Sequence, residues 1–417
     1  MICYIFFRCY QLRFPQPGPS GLFHGGFMRS KFLSAVLGLG LLGGSFLAVV
    51  PAHAAEHCIK AAPSGAMECY NNNFDSAGGA APMATSPAAR DAAISATAVK
   101  YGLGSPLGPV RTGLKEGGAY RQYQRGFVVY SPATGAQVSR GAIRTAYAKL
   151  GYEKGRFGYP VSGEFKSGVA FDNTTYQQYQ GGWITWASPL GAHAISGAIG
   201  ARWKAGQGKY RGFNAAQTDE MVGLKDGGAG QHFDGGTIYW SPKTGARAVY
   251  GPIASIWLQD GRDRSKLGYP VTEQYATPNG GTAQGFQNGV IVYTDRSISI
   301  LSGAIGKKYF SVGGYTSGLG YPKDLRETTG LRAGGASQSF EKGAIVWSSM
   351  TGAQVSKGAI RTAWLNSGAQ DGSLGYPTTD EFTTSDGRTM QGFQGGRISW
   401  TAATGAEILP GTPHTNM

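Results

Sequence analysis

Apolar positions along this chain change period in a fixed order. Ala142, Ile143, Ala146, Tyr147 and Leu150 fall at steps of three and four residues, the spacing of one helical face. They predict a short helix stopped by Gly151. Phe157-Gly158-Tyr159-Pro160 follows as a turn, because glycine permits tight backbone geometry and proline fixes φ. After an irregular acidic and polar segment the period becomes two. Gln391 and Phe393 precede Gly395-Gly396, and Ile398 and Trp400 follow it. Alternate residues share one face of a strand, and glycine suits a tight hairpin turn. The same text reads Gln338, Phe340, Gly343, Ile345, Trp347, and Gln284, Phe286, Gly289, Ile291, Tyr293. Thr-Gly-Ala, at Thr134, Thr244, Thr351 and Thr404, then predicts another turn before a short strand such as 136–139.

This helix–turn–hairpin unit repeats. Gly-Ala-Ile or Gly-Pro-Ile opens at Gly141, Gly197, Gly251, Gly303 and Gly358, at spacings of 52 to 56 residues. The turn returns as Leu267-Gly268-Tyr269-Pro270, Leu319-Gly320-Tyr321-Pro322 and Leu374-Gly375-Tyr376-Pro377, with a decayed copy at Gly212-Phe213-Asn214-Ala215. A front unit runs from Ala93-Ile94 through Leu107-Gly108-Pro109 to a hairpin at 123–136. The expected units are 92–140, 141–196, 197–250, 251–302, 303–357 and 358–410, with a tail at 411–417. One such unit has too small a core to stand alone, so neighbours must bury each other's faces. The expected fold is therefore mainly β with short helices, the tandem repeats closing into a propeller-like ring of six units. A linear array would call for polar end units, which the text of the first and last units does not display.

The front of the chain reads differently. Residues 1–27 are expected to be a mis-assigned upstream segment. From Met28 the pattern is that of a secretory signal: Arg29 and Lys31, an apolar run from Phe32 to Val50, then Pro51-Ala52-His53-Ala54 with cleavage expected before Ala55. After cleavage no membrane-spanning segment is expected. Residues 55–91 are expected to be a flexible lead-in, rich in Ala, Gly, Ser and Pro. Cys58 and Cys69 are expected to pair as one disulfide, as two nearby cysteines in an exported chain do.

Composition agrees with many turns between short aromatic strands: 68 Gly, 12% aromatic and 15% charged residues. The net charge is +14, and the four basic residues before Ala55 leave +10 for the remainder. The charge is scattered (Lys115, Arg144, Lys204, Arg262, Lys307, Arg361). A nucleic-acid reader concentrates it in a patch or stripe, so no nucleic-acid partner is expected. Diffuse attraction to acidic polymers is compatible with the excess.

The repeated Leu-Gly-Tyr-Pro with its following Glu, and the Gln-x-Phe-x-x-Gly-x-Ile-x-Trp hairpin, resemble the LGFP repeat family of actinobacterial envelope proteins. Most units here have Tyr where the family's phrase has Phe. The resemblance implies a propeller-like, non-catalytic module of the kind attached to mycoloyltransferases and peptidoglycan amidases. It also implies a cell-wall location and a polysaccharide partner of arabinogalactan type; the exported chain is expected to be a monomer.

No catalytic set stands out. There is no His-Glu-x-x-His and no Gly-x-Ser-x-Gly, and no metal ligand set or cofactor motif. Glu164, Glu273 and Glu381 could in principle pair for glycoside hydrolysis. Each sits at the same place in a different unit, where an acid tied to a local Arg or backbone N–H is the simpler role. Gln177, Gln231, Gln284, Gln338 and Gln391 share one position, with Arg121 in the first unit. They would either satisfy backbone groups of the adjacent unit or form a row of glycan-binding amides. Trp186, Trp240, Tyr293, Trp347 and Trp400 are expected mostly in the core. The turn residues Tyr159, Tyr269, Tyr321 and Tyr376 are expected partly at the surface, where they suit sugar stacking. The expectation is a multivalent glycan binder without catalysis; the alternatives are a wall-polysaccharide hydrolase and a protein-binding envelope scaffold.

Overall fold

A computed structural model describes residues 57–60, 67–70, 86–166, 173–206 and 213–411. The expected upstream segment, signal peptide and all but the first residue of the tail lie outside them, as does most of the lead-in. His57–Lys60 and Met67–Tyr70 pair antiparallel, with Cys58 opposite Cys69. No described helix is long and apolar enough to cross a membrane.

Six four-stranded antiparallel sheets come next, each a meander with its strands in chain order. They span 111–139, 165–196, 221–249, 275–302, 328–357 and 382–410. The fold is thus mainly β with short helices in six repeats. The polar segment after each turn supplies the first strand of each sheet, which its lack of period two had concealed; in the second sheet it is only Phe165–Lys166.

A helix precedes every sheet: α1 (Pro87–Lys100), α2 (Gly141–Lys149), α3 (Gly197–Gly206), α4 (Gly251–Gln259), α5 (Gly303–Ser311) and α6 (Gly358–Asn366). The glycine that opens each of the last five has φ between +54° and +60°, a region that costs other residues about 1–2 kcal/mol. Each helix buries a pair one turn apart: Ile94 and Ala98, Ile143 and Tyr147, Ile199 and Trp203, Ile253 and Trp257, Ile305 and Tyr309, Ile360 and Trp364. The core therefore sits between consecutive sheets. Around α4, for example, Tyr239 and Val249 of the third sheet meet Trp257, then Leu267, Tyr269, Phe286 and Ile291 of the fourth unit. Truncating such a Trp to Ala costs about 3–5 kcal/mol.

The helix aromatic also fixes the turn. Tyr147, Trp257, Tyr309 and Trp364 donate to the carbonyl of the turn glycine eleven residues on, at 2.7–3.0 Å. In the third unit Trp203 donates to Asn214 O, at 3.2 Å. The turn proline then bridges to the aromatic of the second strand, as Pro160 to Tyr179 and Pro377 to Phe393. These contacts correct two registers. In the first unit Pro106 bridges Tyr123, so the turn is Leu103-Gly104-Ser105-Pro106 and not Leu107-Gly108-Pro109. In the third, Ala216 bridges Phe233, so the turn is Phe213-Asn214-Ala215-Ala216, one residue later than its text suggested. Both turns lack the Tyr that marks the register elsewhere, with Ser105 and Ala215 in its place.

Two kinds of pin join each sheet to its predecessor. The first is the repeated Gln. Its Nε2 donates to the last strand of the preceding sheet and to its own unit's loop: Gln177 to Val138 O (2.7 Å) and Ser162 O (3.0 Å). Gln231, Gln284, Gln338 and Gln391 do the same to Ala194, Ala248, Ile300 and Val355. All five are at most 1% exposed. The second is the turn Tyr, whose hydroxyl donates to the first hairpin of the preceding sheet: Tyr159 to Lys115 O, Tyr269 to Lys225 O, Tyr321 to Pro278 O and Tyr376 to Arg332 O. A Cβ on Gly118, Gly228 or Gly335 would lie 2.0–2.1 Å from that hydroxyl, so the hairpin needs glycine there.

The end units lack these parts. In the first, Ser105 stands for Tyr, and Arg121 stands for Gln with its Nε bonded to Gly108 O of its own loop. In the sixth sheet Arg388 occupies the glycine position. On the last strand, Gly405–Pro410, Ile408 is 44% exposed. Its counterparts Val138, Ala194, Ala248, Ile300 and Val355 are all buried.

One gap in this network can be filled. Tyr179 donates its hydroxyl to Gln177 Oε1 at 2.9 Å. The fourth and sixth units have Phe286 and Phe393 there, and Gln284 Oε1 and Gln391 Oε1 are buried without a partner. Conversely, Tyr123 has Arg121 for a neighbour in place of Gln, and its hydroxyl is unpartnered. Phe286→Tyr is therefore expected to raise stability by about 1 kcal/mol, read as a higher urea midpoint at unchanged slope; a lower midpoint would refute this account of the site.

Candidate functional site

The residues singled out from the sequence fall into three groups. The glutamines are internal pins, so their amides face backbone carbonyls and not the surface. The turn tyrosines are also internal: Tyr159, Tyr269, Tyr321 and Tyr376 are 1%, 1%, 6% and 2% exposed. Their expected surface placement is not found, because each hydroxyl must cross to the neighbouring sheet. Burial pushes Tyr159 and Tyr269 up to about 12, with Glu153 and Asp263 adding in the same direction. Tyr376 is also raised, by burial first.

The glutamates sit apart, each on its own cation. Arg140 Nε meets Glu164 at 2.9 Å. Arg202 grips Glu273 with two nitrogens, at 2.6 and 2.7 Å. Lys357 lies 3.9 Å from Glu381, whose carboxyl is raised by burial and drawn back by that lysine. None bonds to another of the three, so the structure does not bring them together as a carboxylate pair. Among the described residues no group of His, Cys, Asp and Glu is arranged to hold a metal ion.

The strand aromatics are the repeated feature that stays in reach of solvent. Trp186, Trp240, Trp347 and Trp400 are half-buried and Tyr293 is 39% exposed. All occupy the same place in the third strand of their sheets. The first sheet has Tyr130 there, buried. The four Trp pack against core clusters while keeping part of their surface exposed. Tyr293 is the exception to the expected core placement, and the turn tyrosines expected outward are buried. Each Trp shares a strand face with the Ile two residues earlier and packs with it against one core cluster. Ile345 with Trp347 and Ile398 with Trp400 are examples, the Ile buried and the Trp half-buried.

Two residues that the repeat pattern did not single out also stand out. Arg144 and Glu153 line a cavity of about 310 Å³ between the first sheet and α2. Neither recurs as a set in the other units, so a reading based on repetition passes over them.

Comparison with known proteins agrees with the repeat count. Residues 103–155, 157–209, 215–265, 267–317, 319–372 and 374–413 match the family profile described as LGFP repeat. A search of curated proteins returns no significant match. Among solved structures, virginiamycin B lyase from Staphylococcus aureus aligns over 73% of this chain and 84% of its own, at 9% identity and a TM-score of 0.12. The extracellular domain of a putative hybrid two-component system from B. thetaiotaomicron aligns over 71% and 40%, at 10% identity and 0.14. Apo AztD from Citrobacter koseri aligns over 74% and 73%, at 11% identity and 0.12. Scores this low carry no argument.

The buried tyrosines set an alkaline limit. A tyrosine ionises near 10 when unfolded, and here Tyr159 and Tyr269 do so at about 12. The folded state favours the protonated form, so their contribution is complete below pH 10 and is lost as pH rises through 12. Thermal stability should fall across that window. Tyr269→Phe, which removes one ionising group and one hydrogen bond, should start about 1 kcal/mol lower at neutral pH and fall less steeply. Equal slopes in the two proteins would contradict the assignment.

Proposed function

This chain belongs to the LGFP repeat family, and on that premise we propose that it is a secreted or cell-envelope protein that holds a wall polysaccharide of arabinogalactan type without catalysis. The observation that carries the reading is the reiterated strand aromatic. Five units offer a half-buried or exposed Trp or Tyr at one position, while the repeated Gln, Tyr and Glu are engaged inside the protein. An aromatic face with a polar edge suits a sugar ring. Weak contacts on several units of one polymer multiply through effective concentration, and the scattered positive charge adds diffuse attraction to acidic wall polymers.

Ion pairing of Glu164, Glu273 and Glu381 with Arg140, Arg202 and Lys357 supports the non-catalytic part of the reading, since an acid for glycoside hydrolysis must be free to protonate a leaving group. We also read the six units as an array with distinct ends in place of the expected closed ring. The first unit has lost both pins and the sixth sheet exposes Ile408. The facing Cys58 and Cys69 we read as one disulfide, which should block both thiols from alkylation until reductant is added; labelling without reductant would refute it.

Retention on delipidated, protein-free wall polysaccharide tests the central reading. Tyr293→Ala should weaken it slightly, and Tyr293→Ala with Trp347→Ala by about tenfold or more, as expected of avidity, with circular dichroism confirming the fold. No retention by the intact protein would defeat the proposal in favour of a protein partner. Sustained release of oligosaccharide, lost on Glu273→Gln, would defeat its non-catalytic part.

A further inference from the structure

The cavity between the first sheet and α2 has an unusual lining. Tyr120 and Phe127 come from the first sheet, Arg144 and Tyr147 from α2, and Tyr152, Glu153 and Lys154 from the short turn after it. The Arg144 guanidinium carbon lies 3.5 Å from the centre of the Phe127 ring and 5.1 Å from that of Tyr152. A guanidinium stacked in this way keeps its N–H edge free for a planar anion. Among the described residues no hydrogen bond or ion pair engages that edge. The titratable groups acting on Arg144 are Tyr152, Tyr120, Tyr147 and Tyr179, with no carboxylate among them, and burial lowers its pKa.

Glu153 is the second half of the observation. It is 6% exposed and likewise has no hydrogen bond or ion pair among the described residues. Its counterpart Asp263 accepts the Lys225 N–H at 2.8 Å. One cavity thus holds a guanidinium and a carboxylate that are both buried or half-buried, both unpaired, and not bonded to each other. A buried charge in that state is costly unless something completes it. The other units do not reproduce the pair. Gly200, Ala254 and Gly306 stand where Arg144 does. The sixth unit has Arg361 there but Ala344, Ala369 and Gln370 for Phe127, Tyr152 and Glu153.

We propose that this cavity binds a single acidic sugar residue, its carboxylate or phosphate on Arg144 and its hydroxyls on Glu153 and the tyrosine hydroxyls. The volume lies at the lower end of the range for small-ligand sites, about 300–1,000 Å³, which suits one ring. Arg144 supplies the bidentate anion contact. Phe127 and the Tyr120 and Tyr152 rings supply apolar faces. Glu153 needs hydroxyl donors, which selects a sugar acid over an aromatic or aliphatic acid. The proposal stands apart from the wall-polysaccharide reading, because it concerns one cavity in one unit and not the repeated strand aromatics.

Calorimetric titration of the intact protein with glucuronate, glucose 6-phosphate and glucose tests it. At least one of the two acids should bind about tenfold or more tightly than glucose, the worth of one charged hydrogen-bonded contact; which one does so separates carboxylate from phosphate recognition. Arg144→Gln should remove that preference and Arg144→Lys restore part of it. Glu153→Gln should weaken the acidic sugar and glucose alike. Retention on wall polysaccharide should be unchanged in Arg144→Gln, which distinguishes failure of this site from failure of the repeat surface and also reports a folded variant. Equal binding of all three sugars, binding unchanged in Arg144→Gln, or no binding of any of them well above the millimolar range would overturn the proposal.

Discussion

Five buried amides hold the joints of this molecule. Each repeated Gln has two N–H donors, and each gives one to its own loop and one to the last strand of the sheet before it. A buried donor without an acceptor costs about 1–3 kcal/mol, so each sheet is held in one register against its neighbour. The helix aromatic reinforces the arrangement by tying the turn from inside. Hydrophobic burial supplies most of the stability, but it is non-directional; the amides and turn hydroxyls make every joint alike.

The tyrosine pins show how far one joint can vary without losing its neighbours. Where a sheet has a Gly-Gly pair in its first hairpin, the next unit carries Tyr. The second unit has no Gly-Gly between residues 166 and 175, and the third unit has Ala215 in place of Tyr. There Ala216, at the proline position of the other turns, has an N–H to give and donates it to Thr185 Oγ1 of the preceding sheet at 3.1 Å. Pin and socket are thus absent together. The same logic accounts for the ends, where Ser105 precedes the first of the four-stranded sheets and Arg388 fills the socket position of the sixth.

Much of this was legible in the text of the chain, and the failures have physical causes. The repeat count, the helix followed by a turn, and the closing hairpin with its third strand could be read from periodicity and glycine. The first strand of each sheet could not, because it is short and its residues are largely exposed. The structural role for Gln was one of the two readings its repetition allowed. The tyrosines were misplaced because an aromatic next to Gly and Pro looks like surface, and only the neighbouring sheet reveals the carbonyl it must reach. Arg144 and Glu153 were invisible as a pair, since their meaning lies in missing partners and not in recurrence.

Native-state hydrogen exchange on Gln284→Leu most directly tests whether a buried amide holds each joint. Backbone amides flanking the altered joint, in the third and fourth sheets, should exchange faster while those of the sixth sheet keep their protection, as stability built from neighbouring interfaces requires. Equal acceleration throughout the six sheets, or none at the altered joint, would contradict the account.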